Sequence, residues 1–282
     1  MAKVIITADS TCDLSAELLE KYQVKLLPLY VVKGEESLRD GVEIVPQDIY
    51  DYVSQTGNVT KTAAASVSDY LDFFTPLVEE GYEIVHLNIS TGFSSCHQNA
   101  CLAAEELKNV FPVDSKNLST GSGLIAIEAA LMVQEGKSGA EIRDYLNTEI
   151  VPKVEASFVI DTLTYLHKGG RCSSVAALGA NLLKLKPCIE VADGGMHVGK
   201  KYRGTLAKCV EQYIADRLKD RTDIDYKRVF ITHTECSQEI IDVAHRVVRE
   251  FGEFEEILET TAGCTVTSHC GPGTLGILFI RK

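Results

Sequence analysis

The feature that most restricts the fold is a unit that occurs three times in the first half of the chain: a β-branched run, a loop of small polar residues, then a helical pattern. Val4-Ile5-Ile6-Thr7-Ala8 leads through a polar cluster into Ser15-Ala16-Glu17-Leu18-Leu19-Glu20-Lys21, where Ser15 is placed to cap a helix. Glu83-Ile84-Val85-His86-Leu87-Asn88-Ile89 enters a loop at Ser90 and then a helix running to about Lys108. Phe111-Pro112-Val113-Asp114-Ser115 precedes a Ser/Gly-rich loop and the Ala-rich helix Leu124 to Gln134. Strands separated by helices must lie parallel, which predicts a sheet with helices on its faces.

Near residue 155 the rhythm changes. A helical stretch from Ala140 to Glu155 leads into Ser157-Phe158-Val159-Ile160, and two strand-like runs, Pro187 to Ala192 and Met196 to Tyr202, are joined by Asp193-Gly194-Gly195. That is a hairpin signal and so an antiparallel element. Helices over Leu206–Leu218 and Ile240–Phe251, a strand over Arg228–Thr232 and a closing strand over Gly276–Ile280 complete the pattern. The expectation is an α/β protein with a parallel-sheet, three-layer domain over 1–155 and a smaller mixed-sheet α/β domain over 156–282.

Charge and cysteine usage narrow the function. The chain carries 28 Lys+Arg against 40 Asp+Glu, a net charge of −12, and no block is read as concentrating the positive charge, which argues against a nucleic-acid surface. No run approaches the roughly 18 apolar residues of a membrane span, and the start lacks a signal-peptide core, so a cytoplasmic protein without membrane insertion is expected. Nine cysteines, an odd number with no C-x-x-C pair, make a poor framework for disulfides or zinc. Cys96-His97 and His269-Cys270 are adjacent pairs, and neighbours in sequence rarely point at one metal, so no metal is expected.

In a parallel sheet, ligands sit beyond the carboxyl ends of the strands. The loops there read Asp9-Ser10-Thr11-Cys12-Asp13, Ser90-Thr91-Gly92-Phe93-Ser94-Ser95 and Ser119-Thr120-Gly121-Ser122-Gly123, with a further cluster from Lys61-Thr62 to Ser66 ahead of a helix over Val67–Leu77. Each alone is explained by helix capping; together they point to a site for a carboxylate or phosphate. None is a P-loop or G-x-G-x-x-G, so ATP binding by this chain is disfavoured. Gly92-Phe93-Ser94-Ser95-Cys96 approaches the hydrolase nucleophile elbow but lacks its final glycine, which leaves a serine hydrolase using Ser94 and His269 as the alternative. Arg171 follows Gly169-Gly170 at the start of a helix, and His269 is read as held in a rigid turn with Gly271-Pro272-Gly273.

Five segments, in order, resemble the signatures of the DegV family: Thr7-Ala8-Asp9-Ser10-Thr11-Cys12-Asp13-Leu14, Ile89-Ser90-Thr91-Gly92-Phe93-Ser94, Val113-Asp114-Ser115-Lys116 with Gly121-Ser122-Gly123, Leu166-His167-Lys168-Gly169-Gly170-Arg171, and His269-Cys270-Gly271-Pro272-Gly273-Thr274-Leu275-Gly276. The resemblance implies a fatty-acid-binding protein, the lipid-carrying and non-enzymatic subunit of a bacterial fatty acid kinase. Its long-chain fatty acid lies between the two domains, and its carboxylate is presented to a separate ATP-dependent kinase that makes acyl phosphate for phospholipid synthesis. By the same resemblance, Thr62 and Ser94, with Ser95 as a neighbouring candidate, contact the carboxylate. Arg171, Arg203 and His269 serve the kinase encounter or phosphoryl transfer. Two segments depart from the family pattern: Thr62-Ala63-Ala64-Ala65-Ser66 stands for Thr-Ser-Gln-Pro-Ser, and Ser94-Ser95-Cys96 for Ser-Gly-Thr.

Overall fold

The structure, a computed structural model, describes residues 3–176 and 185–282. The chain opens with β1 (Lys3–Asp9), α1 (Ala16–Tyr22) and β2 (Lys25–Leu27), followed by β3 (Tyr30–Lys33), β4 (Glu36–Arg39), α2 (Pro46–Thr56) and β5 (Lys61–Ala63). Then come α3 (Val67–Glu79), β6 (Tyr82–Asn88), α4 (Cys96–Glu106), β7 (Val110–Asp114), α5 (Thr120–Gln134) and α6 (Gly139–Tyr145). Strands β2-β1-β6-β7 form a four-stranded parallel sheet. Side chains alternate across it, as the two-residue period of a strand requires. Ile5 and Ile84 face Tyr70 and Phe74 of α3 and Ala100 of α4, whereas Ile6 and Val85 face α1 and α5. This is the three-layer arrangement expected from the repeated units.

The second half contributes β8 (Val154–Ile160), α7 (Thr164–Gly169), α8 (Ser173–Ala176), β9 (Lys186–Ala192), β10 (Gly195–Tyr202), α9 (Leu206–Leu218), β11 (Ile224–Thr234), α10 (Gln238–Phe251), β12 (Glu256–Thr261), α11 (Cys264–Cys270) and β13 (Thr274–Arg281). Its sheet is mixed, in the order β10-β9-β8-β13-β11-β12, with only β11 and β12 parallel. The β9–β10 hairpin turns on Asp193 and Gly194, both at positive φ (52° and 76°), the requirement of a tight two-residue hairpin turn. Helices α9 and α10 pack on one face of this sheet. Helix α5 lies on the other, where its residues join a core that includes Ala156, Phe230 and Leu278. It is apolar all round because it is enclosed between the two sheets.

Several expectations are corrected. The stretch read as helix from Ala140 to Glu155 is α6, a π-helical turn over Leu146–Ile150 and a 3-10 turn over Val151–Lys153; Pro152 cannot continue an α-helix, and Glu155 already belongs to β8. His269 does not sit in a turn but in the last turn of α11, which ends at Gly271 (φ 68°). The strands β3, β4 and β5 form a small antiparallel sheet, and β5 carries Thr62. Neither this sheet nor β12 is expected from the sequence. The continuation of the helix placed after Arg171 falls partly outside the described residues.

Candidate functional site

The loops beyond the carboxyl ends of β2, β6 and β7 face α11 across a cleft. Its walls are mostly apolar, with Leu29, Ile89, Phe93 and Leu118 on one side and Met196 and Val266 on the other. Polar side chains enter from Thr62, Ser94, Thr265, His269 and Arg171. A second, smaller cavity lies between α11 and the mixed sheet, lined by Phe158, Val191 and Leu278. The two share Leu118, Val266 and Cys270 as wall residues, so they adjoin.

The loop bearing Ser94 is fixed from two sides. Asp9, at the end of β1 and buried, accepts hydrogen bonds from Ile89 N–H (3.0 Å), Asn88 Nδ2 (3.2 Å), Tyr70 O–H (2.8 Å) and His86 Nε2 (3.2 Å). From the other half, the tip of the β9–β10 hairpin docks against it: Ser90 Oγ donates to the Gly194 carbonyl at 2.7 Å. Gly92 has to be glycine here, because a Cβ would collide with that carbonyl. Of the two neighbouring serines, Ser94 lines the cleft and Ser95 is exposed at the start of α4.

Helix α11 brings His269 to Thr62, 207 residues away, with His269 Nε2 and Thr62 Oγ1 2.8 Å apart. Its Nδ1 is buried, has no hydrogen-bond partner among the described residues and abuts Gly169, where a Cβ would collide with it. An unpaired buried lone pair is better tolerated than an unpaired N–H, so we assign the hydrogen to Nε2. Nε2 then donates to Thr62 and leaves the Thr62 hydroxyl hydrogen free to meet a ligand. Burial, with Arg171 nearby as a second cause, pushes the imidazole down to about 4, so it is neutral near pH 7. Arg171 is exposed at the cleft and donates from Nη1 to the Gly169 carbonyl at 2.7 Å. Arg203, just past β10, is exposed and lines neither cavity; the fold does not bring it to the cleft.

The geometry does not support the hydrolase alternative. Ser94 Oγ lies 3.0 Å from Cys96 Sγ and has no hydrogen bond to His269, while no carboxylate reaches the second ring nitrogen of His269 among the described residues. A neutral ring with so low a pKa is a weak base. Among the described residues no cluster of three or more His, Cys, Asp or Glu is arranged to hold a metal, and no helix is long and apolar enough to cross a membrane. One reading of the charge is corrected: residues 165–208 carry eight Lys and Arg against Glu190 and Asp193 alone, so the positive charge is concentrated, in the segment that includes Arg171.

Two buried aspartates, which the sequence does not single out, hold α11 in place. Asp13 accepts from Gly263 N–H (2.9 Å) and Ser119 O–H (2.5 Å), and Asp40 accepts from the N–H groups of Cys264 and Thr265. Burial raises the Asp13 carboxyl to about 7. Between about pH 4 and 7 the folded state therefore binds a proton that the unfolded chain lacks, and this contribution to stability falls as pH rises. His269 acts oppositely. Its folded pKa is depressed, so its contribution rises between about pH 4 and 6.5. The two slopes oppose each other, each worth roughly 3–4 kcal/mol in full. Asp13→Asn should remove the falling limb, so that urea unfolding midpoints rise more steeply from pH 4.5 to 6.5 than in the wild type; parallel profiles would rule this out.

The comparisons with known proteins agree with this architecture. The family model described as an uncharacterised protein of the DegV family matches residues 3–282. A DegV domain-containing protein of Clostridium acetobutylicum is 31% identical over the whole of both chains, and a protein of Thermotoga maritima named a fatty acid-binding protein is 30% identical over 97% of this chain and 96% of its own. Among solved structures, a fatty-acid-binding DegV family protein from Thermus thermophilus superposes with a TM-score of 0.89 at 27% identity, covering 99% of this chain and 100% of that one. A stearic-acid-binding protein from Eubacterium ventriosum does so with a TM-score of 0.83 at 28% identity, covering 100% of this chain and 99% of that one. Fold and sequence similarity over the full length agree: the chain belongs to the DegV family.

Proposed function

We propose that this protein is a carrier that binds a long-chain fatty acid in the cleft and presents its carboxylate to a separate ATP-dependent fatty acid kinase for conversion to acyl phosphate. The observation that carries the reading is the polarity of the cleft. The polar side chains of Thr62, Ser94 and His269 line a cleft whose other walls are mostly apolar, Thr62 and His269 are in contact, and a second apolar cavity adjoins it. The names of the Thermotoga, Thermus and Eubacterium relatives point the same way.

The two ends of the ligand make different demands. Each buried methylene stabilises by about 0.8 kcal/mol, so a chain of roughly fourteen gains on the order of 11 kcal/mol before ordering costs. The carboxylate is strongly destabilised in an apolar site unless donors meet it. In this reading Thr62 and Ser94 supply neutral donors, and His269, itself neutral, turns Thr62 toward the ligand. Without a buried cation as competitor, the carboxylate oxygens stay able to attack an incoming phosphoryl group. Arg171 stands at the rim within a basic segment of an acidic protein, suited to phosphate or to an acidic partner surface. Arg203, away from the cleft, would act only in the docking of the partner. We place the protein in the bacterial cytoplasm, with the lipid site between domains 1–155 and 156–282.

Native mass spectrometry of the protein purified from bacteria tests this directly. One fatty acid is expected per chain. Protein that stays ligand-free in every preparation, and after incubation with palmitate or oleate, would overturn the proposal.

A further inference from the structure

Ser94 is held by a residue that the proposed function leaves unused, the fully buried Cys96. The Cys96 sulfur meets Ser94 Oγ at 3.0 Å, and the Cys96 backbone N–H donates to the same oxygen at 3.3 Å.

The hydrogens at this contact have one direction: the Ser94 hydroxyl donates to the Cys96 sulfur, and its oxygen accepts the Cys96 N–H. Burial pushes the thiol up to about 12, so it keeps its hydrogen, and what the sulfur offers Ser94 is a weak acceptor site.

We propose that Cys96 is a positioning residue that holds the Ser94 hydroxyl loosely enough for an entering carboxylate to take its hydrogen. The proposal rests on the reading that Ser94 meets a fatty-acid carboxylate. In the structure the hydroxyl donates to sulfur. When a carboxylate arrives, the O–H rotates to it, and only an O–H···S bond is given up, while the Cys96 N–H keeps the oxygen in place. An oxygen at position 96 would hold the hydroxyl more strongly and compete with the ligand.

This sets an order of affinities opposite to the one that packing alone would give. Cys96→Ser, nearly isosteric, should weaken oleate binding roughly three- to tenfold, whereas Cys96→Ala should bind as tightly as the wild type or tighter. Were Cys96 only a packing residue, alanine would leave a void and bind worse than serine. Titration of oleate and of methyl oleate into both variants reads this out, with thermal unfolding to confirm that each is folded. The serine variant should lose affinity for the acid more than for the ester. In a Ser94→Ala background the two variants should bind oleate alike. If Ser94→Ala alone leaves oleate affinity unchanged, the carboxylate site itself is misplaced. If it weakens binding but Cys96→Ala proves worse than Cys96→Ser, the positioning role is overturned and the carboxylate site stands.

Discussion

Replacing Thr62 and Ser94 together with alanine should weaken long-chain fatty acid binding by about 100-fold. A hydrogen bond to a charged group contributes roughly 1.5–3 kcal/mol, and two at the lower bound reach that factor. Binding should be weakened and not lost, because the apolar walls of both cavities are unchanged. The methyl ester, which carries no charge, should lose far less than the acid. Arg171→Ala should leave affinity within about twofold, since an exposed arginine at the rim adds little, yet slow acyl phosphate formation when kinase and ATP are supplied. Calorimetric titration of the acid and its ester, followed by a coupled kinase assay, separates these effects. Equal loss of binding in the two variants would defeat the division between head-group and partner contacts.

Asp40→Ala should destabilise the fold by about 3–4 kcal/mol, a large share of the 5–15 kcal/mol typical of a whole protein. Its carboxylate accepts from the N–H groups of Cys264 and Thr265 at 2.9 and 3.0 Å, from the Thr265 hydroxyl at 2.7 Å and from Ser10 at 3.1 Å. Alanine would leave those donors buried and unpaired. The same change should impair ligand binding in protein that remains folded, because α11 carries Val266 and His269 to the cleft. Urea unfolding and oleate titration together test this. A variant of wild-type stability would show that α11 forms without Asp40.

The parallel core was legible because its signal is local. β1, β6 and β7 are β-branched or apolar runs, and each is followed by capping residues and a helical period. The β9–β10 hairpin was legible for the same reason, in Asp193 and Gly194. By contrast, β3, β4 and β5 have only three or four residues each, too few for alternation to show. Thr62 was singled out before the strand that carries it. The polar loops were found as candidates, but Asp9 and Asp13 appeared there only as members of a hydroxyl-rich group, and Asp40 gave no signal.

The sequence by itself determined the α/β class, the parallel and mixed halves, the family and the hydroxyl-bearing loops, because each of these follows from patterns a few residues long. Only the tertiary structure decided what α11 is. Cys264-Thr265-Val266-Thr267-Ser268-His269-Cys270 is rich in β-branched and hydroxyl residues that form helices poorly. It starts as a helix because Asp13 and Asp40, 250 and 224 residues distant, cap its first N–H groups. That helix sets His269 against Thr62 and separates Ser94 from any catalytic histidine. The tertiary structure also left Arg203 away from the cleft. Contacts of this kind depend on where the folded chain returns to itself, and no local pattern records it.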